Sequence, residues 1–169
     1  MSKQLIRPAC SDDAKALSLV KSRYVRALYR GFLSADYLNS LDESFFEEQM
    51  SAWVAGQYQV KVLEQDQEVV GFVVYGTDPE DANYGLIHEV GVLPAGSWQE
   101  KDLLMQTCLD DLAQQYELVR ARTVRDNFRS RFLFEQFGFR EDGAQCSHTV
   151  AGNELRIIRL VGRTRRKEA

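Results

Sequence analysis

Histidine, tryptophan, cysteine and proline are all scarce in this chain: 2, 2, 3 and 3 of its 169 residues. Each shortage excludes something. Cys10, Cys108 and Cys146 are odd in number and widely spaced, so they fit neither a disulfide framework nor a zinc site, and no metal centre is expected. Cys108 falls on the apolar side of a helical pattern and is expected to pack in a core. No apolar run approaches the roughly 20 residues needed to cross a membrane. The N-terminus has no apolar signal region, so a cytoplasmic location is expected. Positive charge is also short. The formal net charge of −4 disfavours nonspecific binding to nucleic acid.

What remains is an ordinary globular composition, long enough for one domain with a full core, read here as residues 1–162. The segment Arg163-Thr164-Arg165-Arg166-Lys167 makes residues 163–169 a basic tail, either a solvated end or a contact for an acidic partner.

Hydrophobic periodicity orders the elements. Leu5 to Ala9 reads as a strand. Ser11, Asp12 and Asp13 offer N-cap chemistry for a helix with Ala14, Leu17, Val20, Tyr24 and Leu28 on one face. Gly31 ends it, and Ser34 opens a second helical region. Phe46, Met50, Trp53 and Val54 continue at helical spacing until Gly56. Strands Tyr58 to Glu64 and Glu68 to Tyr75 flank the short Gln65-Asp66-Gln67 link and read as a hairpin. Gly85 to Leu93 is a strand stopped by Pro94. A helix carries Leu104, Met105, Cys108, Leu109, Leu112 and Tyr116, Leu118 to Val124 is a strand, and Phe128 to Phe137 is a last helix with Gly138 as its cap. Ala144 to Val150 and Glu154 to Val161 finish the chain, turning at Gly152-Asn153. The expected class is α/β (α+β), a mixed twisted central sheet of about seven strands with four helices on both faces.

Four segments in this order carry a likeness to a known family: Ile6-Arg7-Pro8-Ala9; Val69-Val70-Gly71-Phe72-Val73; Ile87-His88-Glu89-Val90-Gly91-Val92-Leu93-Pro94; and Asp126 to Arg140, with its Phe134-Glu135-Gln136-Phe137-Gly138-Phe139 core. Together they resemble the GNAT N-acetyltransferases across nearly the whole chain. The resemblance implies acetyl-coenzyme A as donor and an amine of a small molecule, peptide or protein as acceptor. It implies a homodimer as an option.

The resemblance also assigns candidate residues. Glu89 matches a catalytic base, with ion pairing to a nearby arginine as the structural alternative. His88, its neighbour, would face the other side of the sheet. Val90, Gly91 and Val92 would offer backbone to the donor's pantetheine arm, and Gln99 and Lys101 would meet its pyrophosphate. Asn127 would sit beside the pantetheine or, alternatively, cap the last helix.

Two departures from the family pattern matter. Glu100 and Asp102 stand where loop glycines usually cradle the pyrophosphate; at a helix N-terminus carboxylates satisfy the same amides and repel a phosphate. The apolar face beginning at Leu104 suggests a loop two or three residues longer than usual. Phe134 replaces the tyrosine that often protonates the departing thiolate, and a phenyl ring has no proton to give. Arg120, Arg122, Arg125, Arg129 and Arg131 form a basic cluster that would be solvated or bind the donor's 3′-phosphate. Phe32, Tyr37, Asp42, Glu43 and Phe46 would suit a cationic acceptor or fill a core. Two functional readings stand: an N-acetyltransferase, or a domain of this type that has lost catalysis and serves as a ligand- or protein-binding regulatory module.

Overall fold

A computed structural model describes residues 2–96 and 98–165. The strands are β1 (Gln4–Pro8), β2 (Gln59–Gln65), β3 (Glu68–Thr77), β4 (Gly85–Val92), β5 (Leu118–Val124), β6 (Arg140–Val150) and β7 (Asn153–Arg163). The helices are α1 (Ala14–Leu28), α2 (Ala35–Ser40), α3 (Glu47–Ala55), α4 (Trp98–Leu112) and α5 (Phe128–Gln136). The seven strands form one sheet in the order β1-β2-β3-β4-β5-β7-β6. β4 and β5 run parallel and are linked through α4, whereas β1–β2, β5–β7 and β6–β7 are antiparallel. The expected mixed sheet is therefore present. The helices number five rather than four, because the Phe46 to Val54 pattern forms α3 on its own. No described helix is long and apolar enough to cross a membrane.

The contacts divide the chain into two compact units, Met1–Val74 with Glu89–Met105, and Tyr75–His88 with Gln106–Ala169. In the first, Leu17, Val20, Met50, Val62, Phe72 and Val74 form the core. Burying each such side chain stabilises by about 1.5–3 kcal/mol. Three charged groups tie the start of this unit together. Arg7 donates to both carboxylate oxygens of Asp13 at 2.8 and 2.9 Å, and its Nε donates to Glu64 Oε1 at 2.8 Å. Asp13 also accepts from the Cys10 amide at 2.7 Å. The Arg7 hydrogen bonds hold the Asp13 carboxyl down at about 2, against an ordinary 3.8. Of the acidic run expected to cap α1, Asp13 is thus the residue that binds back to the chain ahead of the helix. Ser34 caps α2 as expected, accepting from the Tyr37 amide at 3.2 Å.

The β2–β3 hairpin turns through Asp66 and Gln67 at φ of 52° and 73°. Positive φ at both central residues matches the twist of the strands.

In the second unit, Gly138 follows α5 at φ 84°. Its amide donates to Glu135 O at 3.0 Å, and the Phe139 amide donates to Phe134 O at 3.1 Å. This pair of bonds is the Schellman closure that a left-handed glycine permits. β6 starts four residues earlier than its pattern suggests, at Arg140, because the ladder is broken between Glu141 and Gln145 around Gly143 at φ 90°. The β6–β7 turn sits at Ala151-Gly152. β7 runs on to Arg163, and Thr164 is buried, its amide donating to Glu117 O and its hydroxyl to Tyr116 O. Of the expected tail, Arg163 belongs to β7 and Thr164 is anchored, and residues 166–169 lie outside the described residues.

Candidate functional site

Glu89 lies on β4 with its side chain 22% exposed. Alternation along a strand puts Glu89 and Gly91 on one face and His88, which is exposed, on the other. Two residues of α1 and the residue that caps its C-terminus lie around the Glu89 carboxylate. Lys21 Nζ is 3.0 Å from Glu89 Oε2. Tyr24 and Tyr29 both have hydroxyls pushed above their ordinary range, by burial first and then by the Glu89 charge, to which Tyr24 adds a hydrogen bond. The ion pair foreseen for Glu89 exists, but its partner is Lys21 and not an arginine.

Lys21 is a buried cation in a built cage. Its Nζ donates to Gln49 Oε1 at 2.7 Å and sits 4.8 and 4.4 Å from the ring centroids of Phe46 and Trp53. Burial pulls its pKa below 10.5, and the carboxylate of Glu89 partly opposes that. Sequence reasoning missed Lys21. A signal was there: it lies four residues after Leu17 and three before Tyr24, on the apolar face where a lysine needs a partner.

Gly91 explains how Tyr24 reaches this place. A Cβ at position 91 would lie 2.4 Å from Tyr24 Cε1 and 2.9 Å from Phe72 Cε1. The bare backbone is the slot into which the tyrosine ring fits. Val92 is buried and Val90 partly buried on either side. Just beyond, the Leu93 amide donates to Val70 O at 2.9 Å, so the β3–β4 pairing continues past the end of the strand.

The segment after β4 departs from expectation. α4 begins at Trp98, so the loop is short, and Gln99, Glu100 and Lys101 belong to the first turn of the helix. The polar start was misread because its side chains lie off the apolar face, although all are tolerated helix formers. Gly96 makes the turn: a Cβ there would lie 2.6 Å from Val92 Cγ1 and 3.0 Å from Leu93 O. Glu100 is buried, Gln99 is exposed, and Lys101 Nζ lies 4.8 Å from the centroid of the Trp98 ring. Asp102 lies in the second turn rather than at the helix start. Its Oδ1 is shielded and has no hydrogen-bond partner among the described residues.

The acidic residues expected to await a cation are engaged locally. Asp42 Oδ1 accepts from the amides of Ser44 and Phe45, at 3.1 and 3.0 Å, and Glu43 Oε1 is 3.5 Å from Arg23. Phe46 belongs to the Lys21 cage.

In the second unit, Asn127 caps α5, its side-chain oxygen accepting from the Ser130 amide at 3.1 Å. Phe134 is buried, with its ring 5.4 Å from that of Phe139. The arginine cluster is largely consumed by acids. Asp78, fully buried, lies 3.2 Å from Arg120 and 3.3 Å from Arg122. Burial pushes the Asp78 carboxyl up, but the Glu80 amide and the two guanidinium groups outweigh it and leave the carboxyl below its ordinary range. The Arg120 guanidinium also stacks 3.6 Å from the Tyr84 ring centroid. Arg131 reaches Glu141 at 2.8 Å and Arg125 lies near Asp126, while Arg129 is exposed. Arg120 and Arg122 thus anchor the residue 78–84 connection between β3 and β4 through Asp78.

Residues 24–139, more than half of the chain, match the model of the acetyltransferase (GNAT) family. No curated protein matches. Among solved structures, PaiA N-acetyltransferase from Thermoplasma acidophilum in complex with coenzyme A superposes with a TM-score of 0.75 at 15% identity, covering 95% of this chain and 99% of that one. YncA, a putative acetyltransferase from Salmonella typhimurium with its cofactor acetyl-CoA, gives 0.68 at 19%, covering 98% and 96%. A ribosomal-protein-alanine N-acetyltransferase from Brucella melitensis gives 0.70 at 20%, covering 94% and 99%. At these identities the likeness is one of fold.

Proposed function

Because the chain belongs to the GNAT acetyltransferase family, we propose that it transfers an acetyl group from acetyl-coenzyme A to a primary amine, with Glu89 as the proton acceptor. The observation that carries this reading is the half-buried Glu89 carboxylate, flanked by Lys21, Tyr24 and Tyr29 on one face of β4.

The residues around β4 and α4 suit the donor, with one acid against it. The tight turn at Gly96 and the N-terminus of a 15-residue helix are the backbone features that hold phosphate charge. Glu100, buried in the first turn of that helix, opposes the same charge and is expected to weaken affinity. The backbone of residues 90–92, Gln99 and Lys101 are the proposed holding groups in the first unit. In the second, Asn127 has its side-chain oxygen committed to the cap and Phe134 offers only a ring. When bound, acetyl-coenzyme A would supply the thioester carbonyl.

The chain's own part is the handling of a proton. An amine meets the site as an ammonium ion and must shed a proton before it can act as a nucleophile. Glu89, partly open to solvent, draws the ammonium by charge and takes its proton. Lys21 holds the carboxylate in place at 3.0 Å while the aromatic cage keeps its own ammonium oriented. Phe134 cannot act as an acid, so the thiolate is expected to leave unprotonated or through solvent. A second reading, a binding module without catalysis, is favoured by Phe134 and by Glu100 in the α4 turn. Calorimetric titration with acetyl-coenzyme A followed by a primary-amine screen separates the two. Micromolar binding with turnover supports the enzyme, and Glu89→Gln is then expected to lower kcat by about 10²-fold or more. Absence of binding at millimolar donor supports the module.

A further inference from the structure

The Glu89 carboxylate has a closed side. The side chain is 22% exposed, yet its Oε2 is shielded from solvent. An amine arriving from solution cannot touch that oxygen as the chain stands. The amine that does is the protein's own, since Lys21 Nζ lies 3.0 Å away. Lys21 is buried in a seat that suits an amine, with Gln49 Oε1 at 2.7 Å and the Phe46 and Trp53 rings on its flanks. Lys21, Phe46, Gln49, Trp53 and Glu89 all belong to the first unit, so this geometry is internal to it. The other lysines of that unit are more open: Lys3 and Lys15 are exposed, and Lys61 and Lys101 are partly buried.

An ammonium beside a carboxylate is an ion pair, and as such it holds Glu89 in place. It is also the arrangement that acetyl transfer asks of an acceptor, a nitrogen within hydrogen-bond reach of the base. Burial draws the Lys21 pKa below 10.5, which enlarges the neutral, nucleophilic fraction of the amine. The backbone of residues 90–92, given above to the donor, follows Glu89 directly on β4. Resting on the acetyl-transfer reading, we propose that Lys21 is itself an acetyl acceptor, modified within its own chain by acetyl-coenzyme A with Glu89 as the base. One ammonium proton passes to Glu89 Oε2, and the freed electron pair of Nζ bonds the acetyl carbonyl carbon. The carbon–sulfur bond breaks with its electrons on sulfur, and a second nitrogen proton leaves through solvent, which supplies one to the thiolate. The product amide removes a buried charge from the aromatic cage. It also leaves Glu89 without its counter-charge, so the modification changes the base that made it.

The test starts without donor. In the full chain with isotope-labelled lysine, the Lys21 Cε resonance is expected to stand apart from those of Lys3 and Lys15, displaced by the rings, and to move in Glu89→Gln. A Lys21 resonance that coincides with the exposed ones and ignores Glu89→Gln would overturn the proposal at once. The chain is then incubated with acetyl-coenzyme A carrying a heavy-isotope acetyl group, and the label is located by peptide mass mapping. Trace acetic anhydride serves as the control for exposure. The anhydride is expected to mark Lys3 and Lys15 ahead of Lys21. Acetyl-coenzyme A is expected to reverse that order and to add one acetyl group per chain, at a rate per chain that does not depend on chain concentration. Glu89→Gln is expected to slow the Lys21 mark about 10²-fold or more while the anhydride pattern at Lys3 and Lys15 is kept, which shows that the variant is folded. Lys21→Arg is expected to abolish the added mass. Labelling by acetyl-coenzyme A in the order of exposure, a rate at Lys21 unchanged in Glu89→Gln, or a rate per chain that rises with chain concentration would each overturn the proposal. Small amines acetylated while Lys21 stays unmarked would overturn it and leave the acetyl-transfer reading standing. Failure of acetyl-coenzyme A to bind would remove both.

Discussion

Lys21 and Gly91 are the two residues that shape the surroundings of Glu89, one by what it adds and the other by what it lacks. Lys21 is charged in a place that penalises charge, so its protonation is linked to folding. Its folded pKa lies below 10.5, so between those two values the unfolded chain binds more protons and stability rises with pH. Tyr24, Tyr29 and Cys108 hold their protons more tightly in the folded chain and pull the other way at the alkaline end, so the Lys21 contribution is read as a difference. From neutral pH up to 10.5, the stability of the chain relative to Lys21→Met, which keeps the hydrocarbon stem among the rings, is expected to increase in urea unfolding. A difference that stays flat across that range would mean Lys21 is not the group that titrates. Gly91→Ala puts a methyl group where the Tyr24 ring lies 2.4 Å away. The expected loss is about 1–3 kcal/mol in urea unfolding, accompanied by a fall in turnover if Tyr24 is displaced from Glu89. Glu89 became a candidate through its place in the Ile87 to Pro94 segment that carries the family likeness, and its ion pair was foreseen as a type of contact but not with this partner. Lys21 was not legible, because its meaning depends on Phe46, Trp53 and Gln49, which join it only through tertiary packing.

Elements were legible where local chemistry decides them. The Gly138 closure of α5, the Ser34 cap of α2 and the two-residue β2–β3 turn follow from residues within a few positions of each other. The start of α4 was not, because a helix can begin before its apolar face does, and the length of β6 was hidden by the irregularity at Gly143. The loop between β3 and β4 shows the same limit. Asp78 reads as one more polar residue, yet it is fully buried between Arg120 and Arg122 on β5. Asp78→Ala would leave two guanidinium groups facing an emptied site, and a loss of about 3 kcal/mol or more is expected in urea unfolding. Asp78→Asn, which keeps the shape and one acceptor but loses the charge, is expected to lose less. Equal losses would show that shape and not charge holds this loop.

For the whole molecule, the proposed donor should act on folding by mass action. At 100 times its dissociation constant a ligand that binds only the folded state adds about 2.7 kcal/mol. For a chain of this length that corresponds to a rise in Tm of roughly 5–10 °C. Differential scanning calorimetry with acetyl-coenzyme A is expected to show it, and an unmoved Tm at millimolar donor would favour the binding-module reading. The cysteines, scarce as they are, have a use at this scale. Cys10 and Cys146 are exposed, one in each compact unit, whereas Cys108 is buried and its thiol is pushed well above its ordinary pKa, by burial first. A thiol-reactive dye will therefore label the two outer sites and pass over the third. The natural chain is already a two-colour ruler, needing no added or removed cysteine to follow in real time how its units respond when a ligand arrives.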